Sequence, residues 1–296
     1  MSEAAAVVRA SRPNFLILAP LCAGLGIATA WHQGAQPELL DIILVLLGAV
    51  LAHAAVNLFN EHQDFVSGLD LITRRTPFSG GSGALPDVPS AAKGVLLAAM
   101  GTLGLVMAIG VYFLWQNGMP MLVVGITGVL LILTYTRWIT RSPLLCLLAP
   151  GVGFGPVMVI GTVVALGARV DGTAMVVSLI SLLMASELLL INQIPDAEAD
   201  RMIGRRHLVI TRGPVVAARL VAALLAGSYL SLLAASLMGL LPTGTALALL
   251  PAPLALWISI TLPRTVGRPE RLNVILGTNV AVLLATLALL VIGLSL

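Results

Sequence analysis

Nine apolar stretches, each about as long as a bilayer is thick, decide what this chain can fold into. They fall at residues 14–32, 39–60, 93–115, 117–136, 143–167, 172–194, 214–240, 243–262 and 272–295. A helix rising 1.5 Å per residue crosses a hydrocarbon layer of roughly 30 Å in about 20 residues. Backbone polar groups in lipid must be bonded internally, and runs of this length are too long for barrel strands. The expected fold class is therefore all-α: a polytopic membrane protein of nine transmembrane helices forming one domain over residues 1–296. Composition agrees, since 58% of the 296 residues are hydrophobic and only 10% are charged. Too little polar surface exists to cover a soluble domain.

The few charges sort by side. With the N-terminus in the cytoplasm, 15 of the 16 Lys and Arg residues fall on that face and only Arg169 falls opposite. This is the positive-inside pattern of an integral, multi-pass protein of a bacterial inner membrane. It is read as topology, and nucleic acid is not an expected partner. Cys22 and Cys146 both lie within expected spans, which excludes a CxxC site and argues against a structural disulfide. Arg9 and Arg12 ahead of an apolar run ending in Ala28-Thr29-Ala30 imitate a cleaved signal peptide, but the length of the run predicts an uncleaved first helix.

Two polar connections stand out on the cytoplasmic side. One covers residues 65–89 and contains TRRTPFSGGSGALPDVP; the other covers 195–213 and reads PDAEADRMIGRRHLVITRG. Acids cluster where each meets its preceding span. At 100° per residue, His53, Asn57, Asn60 and Asp64 share one helix face, and Asn192, Asp196 and Asp200 share another. Polar side chains inside a membrane segment are costly and mark function by default. If the two faces meet, Asn60, Asp64, Asp196 and Asp200 converge, with Glu61 and Asp70 as further candidate ligands. Glu61 and Glu198 lie off those faces, suited to a supporting position or to solvent. Oxygen donors without cysteine favour Mg²⁺ over zinc. Arg12, Arg74, Arg75, Arg205 and Arg206 supply countercharge for a diphosphate, alongside Asn57 and Asn192 as polar contacts. The bland alternative, ordinary solvated helix ends, explains one such loop more easily than two backed by intramembrane asparagines.

Asn60-x3-Asp64-x3-Gly68-x-Asp70 followed by GGSGALP resembles the first signature of the UbiA superfamily of intramembrane prenyltransferases. NQIPDAEADRMIGRRHL, with Asp196-x3-Asp200, Gly204 and Leu208, resembles the second. Arg12-Pro13, Tyr135-Thr136 and Gly155-Pro156 also resemble family positions. The resemblance implies nine helices around a central cavity with a polar cap on the cytoplasmic side. It further implies Mg²⁺ held by the motifs at 57–70 and 192–208, an isoprenyl diphosphate donor and a small aromatic acceptor, with membrane lipid as the surrounding partner. The Asp-x3-Gly-x-Asp spacing is closest to the naphthoate-using branch. Glu61 departs from the pattern, standing where many members carry Asp. Tyr135 is expected to stabilise a carbocation or orient the diphosphate, although interfacial anchoring is its other reading. Glu187, deep in the sixth span, and His53 are candidate acceptor-side groups or satisfied intramembrane residues; His207 reads as solvated or phosphate-side. A terpene cyclase on the same scaffold, a prenyltransferase with a non-aromatic acceptor and a transporter are the competing functions.

Overall fold

The computed structural model describes the chain from Met1 to Leu296 apart from residue 269. Every regular element among the described residues is helical. In chain order we label α1 (Glu3–Ala10), α2 (Leu18–His32), α3 (Leu39–Val66), α4 (Ala92–Asn117) and α5 (Met119–Thr134). There follow α6 (Pro143–Ala165), α7 (Gly172–Met202), α8 (Pro214–Leu237), α9 (Thr243–Thr265) and α10 (Glu270–Ser295).

Seven of these, α3, α4 and α6 to α10, are long and apolar enough to cross a membrane. The count reaches eight when the segments Glu3–Phe15 and Leu18–His32, bent by 50°, are taken as one span. Two of the nine expected spans therefore differ from a plain crossing helix. The first is reduced to Leu18–His32, because residues 13–15 form a 3-10 turn, a turn follows at 16–17, and Arg12 ahead of Pro13 is left-handed (φ 53°). The fourth, α5, has only 16 residues, or about 24 Å, because Gly118 (φ 67°) separates it from α4 and a turn follows Tyr135.

Prolines bend some helices and not others. In α6, Pro150 and Pro156 remove backbone donors, and residues Gly153–Ile160 widen into a π-helical stretch that absorbs the mismatch. In α7, Pro195 lies inside a continuous 31-residue helix. The second polar connection, expected to begin at residue 195, instead begins after Met202. Buried Leu190, Ile191 and Ile194 pack with Ala217, Ala218 and Val221 of α8 beside the missing bond, through which the helix continues.

α7 is the most buried of the long helices and α4 the least. The main core gathers Cys22 and Leu25 of α2, Ile180 and Met184 of α7, Leu232 of α8, and Leu283, Leu287 and Leu290 of α10. A smaller cluster ties Ala6 and Ala10 of α1 to Leu58, Leu85, Val95 and Ala99; it seats α1 and the first polar connection on one end of the bundle. Small residues let backbones close up where lipid supplies no hydrophobic drive. A Cβ on Gly26 would sit 2.5 Å from Thr162 Cβ, and one on Gly293 would sit 2.5 Å from the Gly244 carbonyl oxygen. The outer face is hydrocarbon, with Trp115, Leu237 and Leu230 among the exposed side chains, as a lipid-facing surface requires.

Candidate active site

A cavity of about 330 Å³ opens among α2, α3, α5, α6, α7 and α10. Its polar end is built from the two acid-bearing helix faces. His53, Asn57, Asn60 and Asp64 line it from α3, and Asn192, Asp196 and Asp200 line it from α7. Helical spacing thus does what the sequence pattern requires, bringing both stripes to one chamber. The remainder of the lining is apolar, including Leu18, Phe154, Leu188 and Leu284.

The first polar connection folds over that end and bonds to both helices. The Gly80 amide donates to Asp196 Oδ2 at 3.1 Å, while the Ser82 amide donates to Glu61 Oε2 at 3.0 Å and the Ser82 hydroxyl to Glu61 Oε1. Arg12 Nη2 donates to the same Glu61 Oε2 at 3.2 Å. Glycine is required here for space and conformation together. Gly81 has φ 76°, and a Cβ on it would lie 2.6 Å from Asp70 Oδ1. Ser82 was not among the expected site residues, although it lies in the GGSGALP run that completes the first motif.

The second connection returns a cation. Arg205 Nη2 donates to Asp64 Oδ1 and Arg205 Nη1 to Asp200 Oδ1 at 2.8 Å, so one guanidinium joins the two acid motifs. His207 Nε2 lies 2.9 Å from Asp200 Oδ2, and the Arg206 amide donates to the Thr140 carbonyl at 3.0 Å, which pins the loop. Burial alone would lower Arg205, but the Asp64 and Asp200 carboxylates outweigh it and hold the guanidinium charged. Asp70, just beyond α3, is pushed up to about 7, first by burial and then by the Glu61 and Asp64 charges, against Arg12 and Arg75.

The sequence candidates separate cleanly in the structure. Arg12, Asn57, Asn60, Asp64, Asp70, Tyr135, Asn192, Asp196, Asp200 and Arg205 line the cavity. Asn57 Nδ2 also donates to the Ser11 carbonyl at 3.0 Å, and Asn60 Oδ1 accepts from Thr136 at 3.1 Å. Arg74, Arg75 and Arg206 are exposed and lie outside the lining; Arg75 pairs with Asp87 at 3.5 Å. Glu61 is fully buried behind the lining, held by Ser82 and Arg12. Glu198 is exposed. Glu187 accepts from Asn279 Nδ2 of α10 at 3.0 and 3.1 Å and does not line the cavity. His53 lines the cavity edge-on to Phe154, ring centroids 5.0 Å apart. His207, expected in solvent or beside phosphate, is buried against Asp200 and lines the cavity. Gln193 and Thr140 add polar lining that the motif stripes did not single out.

Whether these residues suit a divalent cation can be judged from their unpaired atoms. Asp70 Oδ2, Asp196 Oδ1 and Asn192 Oδ1 are buried without a hydrogen-bond partner, and all three residues line the cavity. Such atoms are rare and call for a ligand. Among the described residues no three His, Cys, Asp or Glu side chains close around a single ion. Mg²⁺ does not need that, because it commonly takes one or two carboxylates and completes its shell with phosphate oxygens and water. Hard oxygen donors beside two arginines fit such a metal–diphosphate pair.

Comparison with known proteins agrees with this architecture. The model of the UbiA prenyltransferase family matches residues 17–272. The chain is 26% identical over 242 residues, 80% of its own length and 73% of the other, to 1,4-dihydroxy-2-naphthoate octaprenyltransferase of Bacillus subtilis (strain 168). Its fold is similar to that of a UbiA homolog from Aeropyrum pernix K1, with a TM-score of 0.71 and 18% identity over 94% of this chain and 98% of that one. It is also similar to a UbiA homolog from Archaeoglobus fulgidus bound to GPP and Mg²⁺, with a TM-score of 0.65 and 15% identity over 97% and 99% of the two chains.

Proposed function

The chain belongs to the UbiA prenyltransferase family, and from that premise we propose that it transfers an isoprenyl group from an isoprenyl diphosphate to an aromatic, naphthoate-like acceptor within the membrane, with Mg²⁺ as cofactor and release of diphosphate. The observation that carries the reading is the polar end of one otherwise apolar cavity: two acid faces, Arg12 and Arg205, and unpaired buried oxygens on Asp70, Asp196 and Asn192. The naphthoate-using relative from Bacillus subtilis supports the acceptor class, and the homolog bound to GPP and Mg²⁺ supports the donor and metal.

Asp64, Asp196, Asp200, Asp70 and Asn60 are the residues that would hold Mg²⁺, one or two of the carboxylates directly and the others through water. When bound, the ion supplies positive charge that neutralises the diphosphate as its bond to carbon lengthens. Arg12 and Arg205 bind and orient the same anion. The allylic C–O bond breaks with its electron pair leaving on the diphosphate, a ring carbon of the acceptor forms the new C–C bond, and that carbon gives up its proton to the released diphosphate. Leu18, Phe154 and Leu284 keep water from the allylic centre. Tyr135, at the polar end, presents its ring to the developing cation.

The reading places α1 and the two polar connections on the cytoplasmic face, with nine membrane segments once the bent α1–α2 pair and the short α5 are each counted as a crossing. The experiment is to incubate the protein in membranes with isoprenyl diphosphates, Mg²⁺ and candidate acceptors, and to identify products by mass spectrometry. A prenylated aromatic product is expected. A cyclised hydrocarbon from donor alone would replace this reading with a terpene cyclase.

A further inference from the structure

Of the four polar residues on the cavity-facing side of α3, Asn57, Asn60 and Asp64 each bond another part of the chain. His53 is 8% exposed and lines the cavity, yet its Nδ1 is buried with no hydrogen-bond partner among the described residues. A histidine that served only the fold would bond a neighbouring helix, because an unpaired polar group inside a membrane is costly. This ring instead meets Phe154 edge-on, with the two planes at 80°, a contact that fixes its orientation without satisfying the nitrogen. It lies about three turns, or about 16 Å, along α3 from Asp64. Phe154, Met158, Leu188 and Leu284 form an apolar part of the same cavity wall and pack on the main core.

We infer that His53 binds the aromatic acceptor through a ring hydroxyl and so decides which ring carbon faces the allylic centre. The inference rests on the prenyl-transfer reading above. The donor does not supply the missing partner: its diphosphate belongs at the acid end, and its isoprenoid chain has no hydrogen-bonding atom. A metal does not supply it either, since among the described residues no three His, Cys, Asp or Glu side chains gather around one ion. Attack on an allylic cation needs an electron-rich ring, and hydroxyl oxygens provide that electron density. A hydroxyl both donates and accepts, so it pairs with Nδ1 in either imidazole tautomer; a carboxylate only accepts and fits one. An acceptor placed between His53 and the diphosphate has its hydroxyl anchored at one end and the allylic carbon at the other. The hydroxyl keeps its proton, so the bonds made and broken in the transfer are unchanged.

The test measures kcat and KM in the parent protein, His53→Phe and His53→Gln, with geranyl diphosphate and 1,4-dihydroxy-2-naphthoate as probes. Phe keeps the ring and its packing while removing both nitrogens; Gln keeps a donor and an acceptor. His53→Phe should raise the KM of the naphthoate at least about tenfold, a lower bound for a site built to bond a hydroxyl. The KM of geranyl diphosphate should not change, and His53→Gln should fall between His53→Phe and the parent. Two analogues of the naphthoate each lack a single ring hydroxyl. The parent should use one of them as poorly as His53→Phe uses the full acceptor, and His53→Phe should not distinguish that analogue from the full acceptor. Because Nδ1 has no protein partner to lose, His53→Phe should unfold in detergent at the same temperature as the parent or a higher one. An unchanged naphthoate KM, an equal rise in both KM values, equal treatment of the two analogues by the parent, or a lower unfolding temperature for His53→Phe overturns the inference alone. A parent inactive on every donor and acceptor overturns the prenyl-transfer reading, and this inference with it.

Discussion

At the scale of single residues, the acids differ in what already holds them, and their replacements should differ accordingly. Asp64→Asn, Asp196→Asn and Asp200→Asn remove charge at constant size. Each should lower turnover at least about tenfold, or roughly 1.4 kcal/mol of transition-state stabilisation. Asp87→Asn should leave turnover unchanged, since Asp87 is exposed and pairs only with Arg9 and Arg75. Full activity in the three motif variants, measured with protein abundance held equal, would return these acids to helix-end solvation. Asp70 gives a pH signature. Its carboxyl is pushed up to about 7 from 3.8, so between those values the folded state binds a proton that the unfolded state does not. Stability of the metal-free protein should therefore rise as pH falls through 7 toward 3.8. Asp70→Asn should reduce that rise, as read by thermal unfolding in detergent with chelator present. The stripes at 53–64 and 192–200 were legible in sequence because helical spacing alone decides which side chains share a face. The fate of Glu61 was not. It depends on Ser82 and Arg12, which reach it from outside its helix.

At the scale of elements, close approach is the constraint that replaces the hydrophobic drive. Gly26 of α2 lies against α6, where a Cβ would meet the Val159 carbonyl oxygen at 2.7 Å as well as Thr162. Gly26→Val should cost about 1–3 kcal/mol through overpacking, seen as a lower unfolding temperature. Gly101→Val should cost much less, because a Cβ there meets nothing within 4 Å. Helix existence was readable from apolar length, which is why α3, α4 and α7 fall where the hydropathy places them. Helix integrity was harder to read. Pro195 was expected to start a loop, yet α7, packed on α8, runs on to Met202. Arg12 breaks the first helix with a left-handed backbone that no propensity scale assigns to arginine. Both outcomes are set by neighbours distant in sequence.

At the scale of the whole molecule, the proposed topology predicts one accessible chamber. Cysteines introduced at Ser67 and Ile203, in a protein whose Cys22 and Cys146 are buried, should both react with a reagent confined to the cytoplasm. Labelling of either from the opposite side alone would invert the orientation. The Arg205 bridge also bears on how the protein is made. Asp64 leaves the ribosome 141 residues before the arginine that bonds it, which at about 5–20 residues per second is a delay on the order of 10 s. Glu61 waits far less, since Arg12 precedes it and Ser82 follows 21 residues later. The first acid helix therefore enters the bilayer with one carboxylate accounted for and the other still without its cation. A nascent chain halted before residue 205 would carry Asp64 and Asp200 unneutralised at the membrane edge, so the loop that closes the chamber is also the last charge the bundle needs before its acids can stay in a low-dielectric interior.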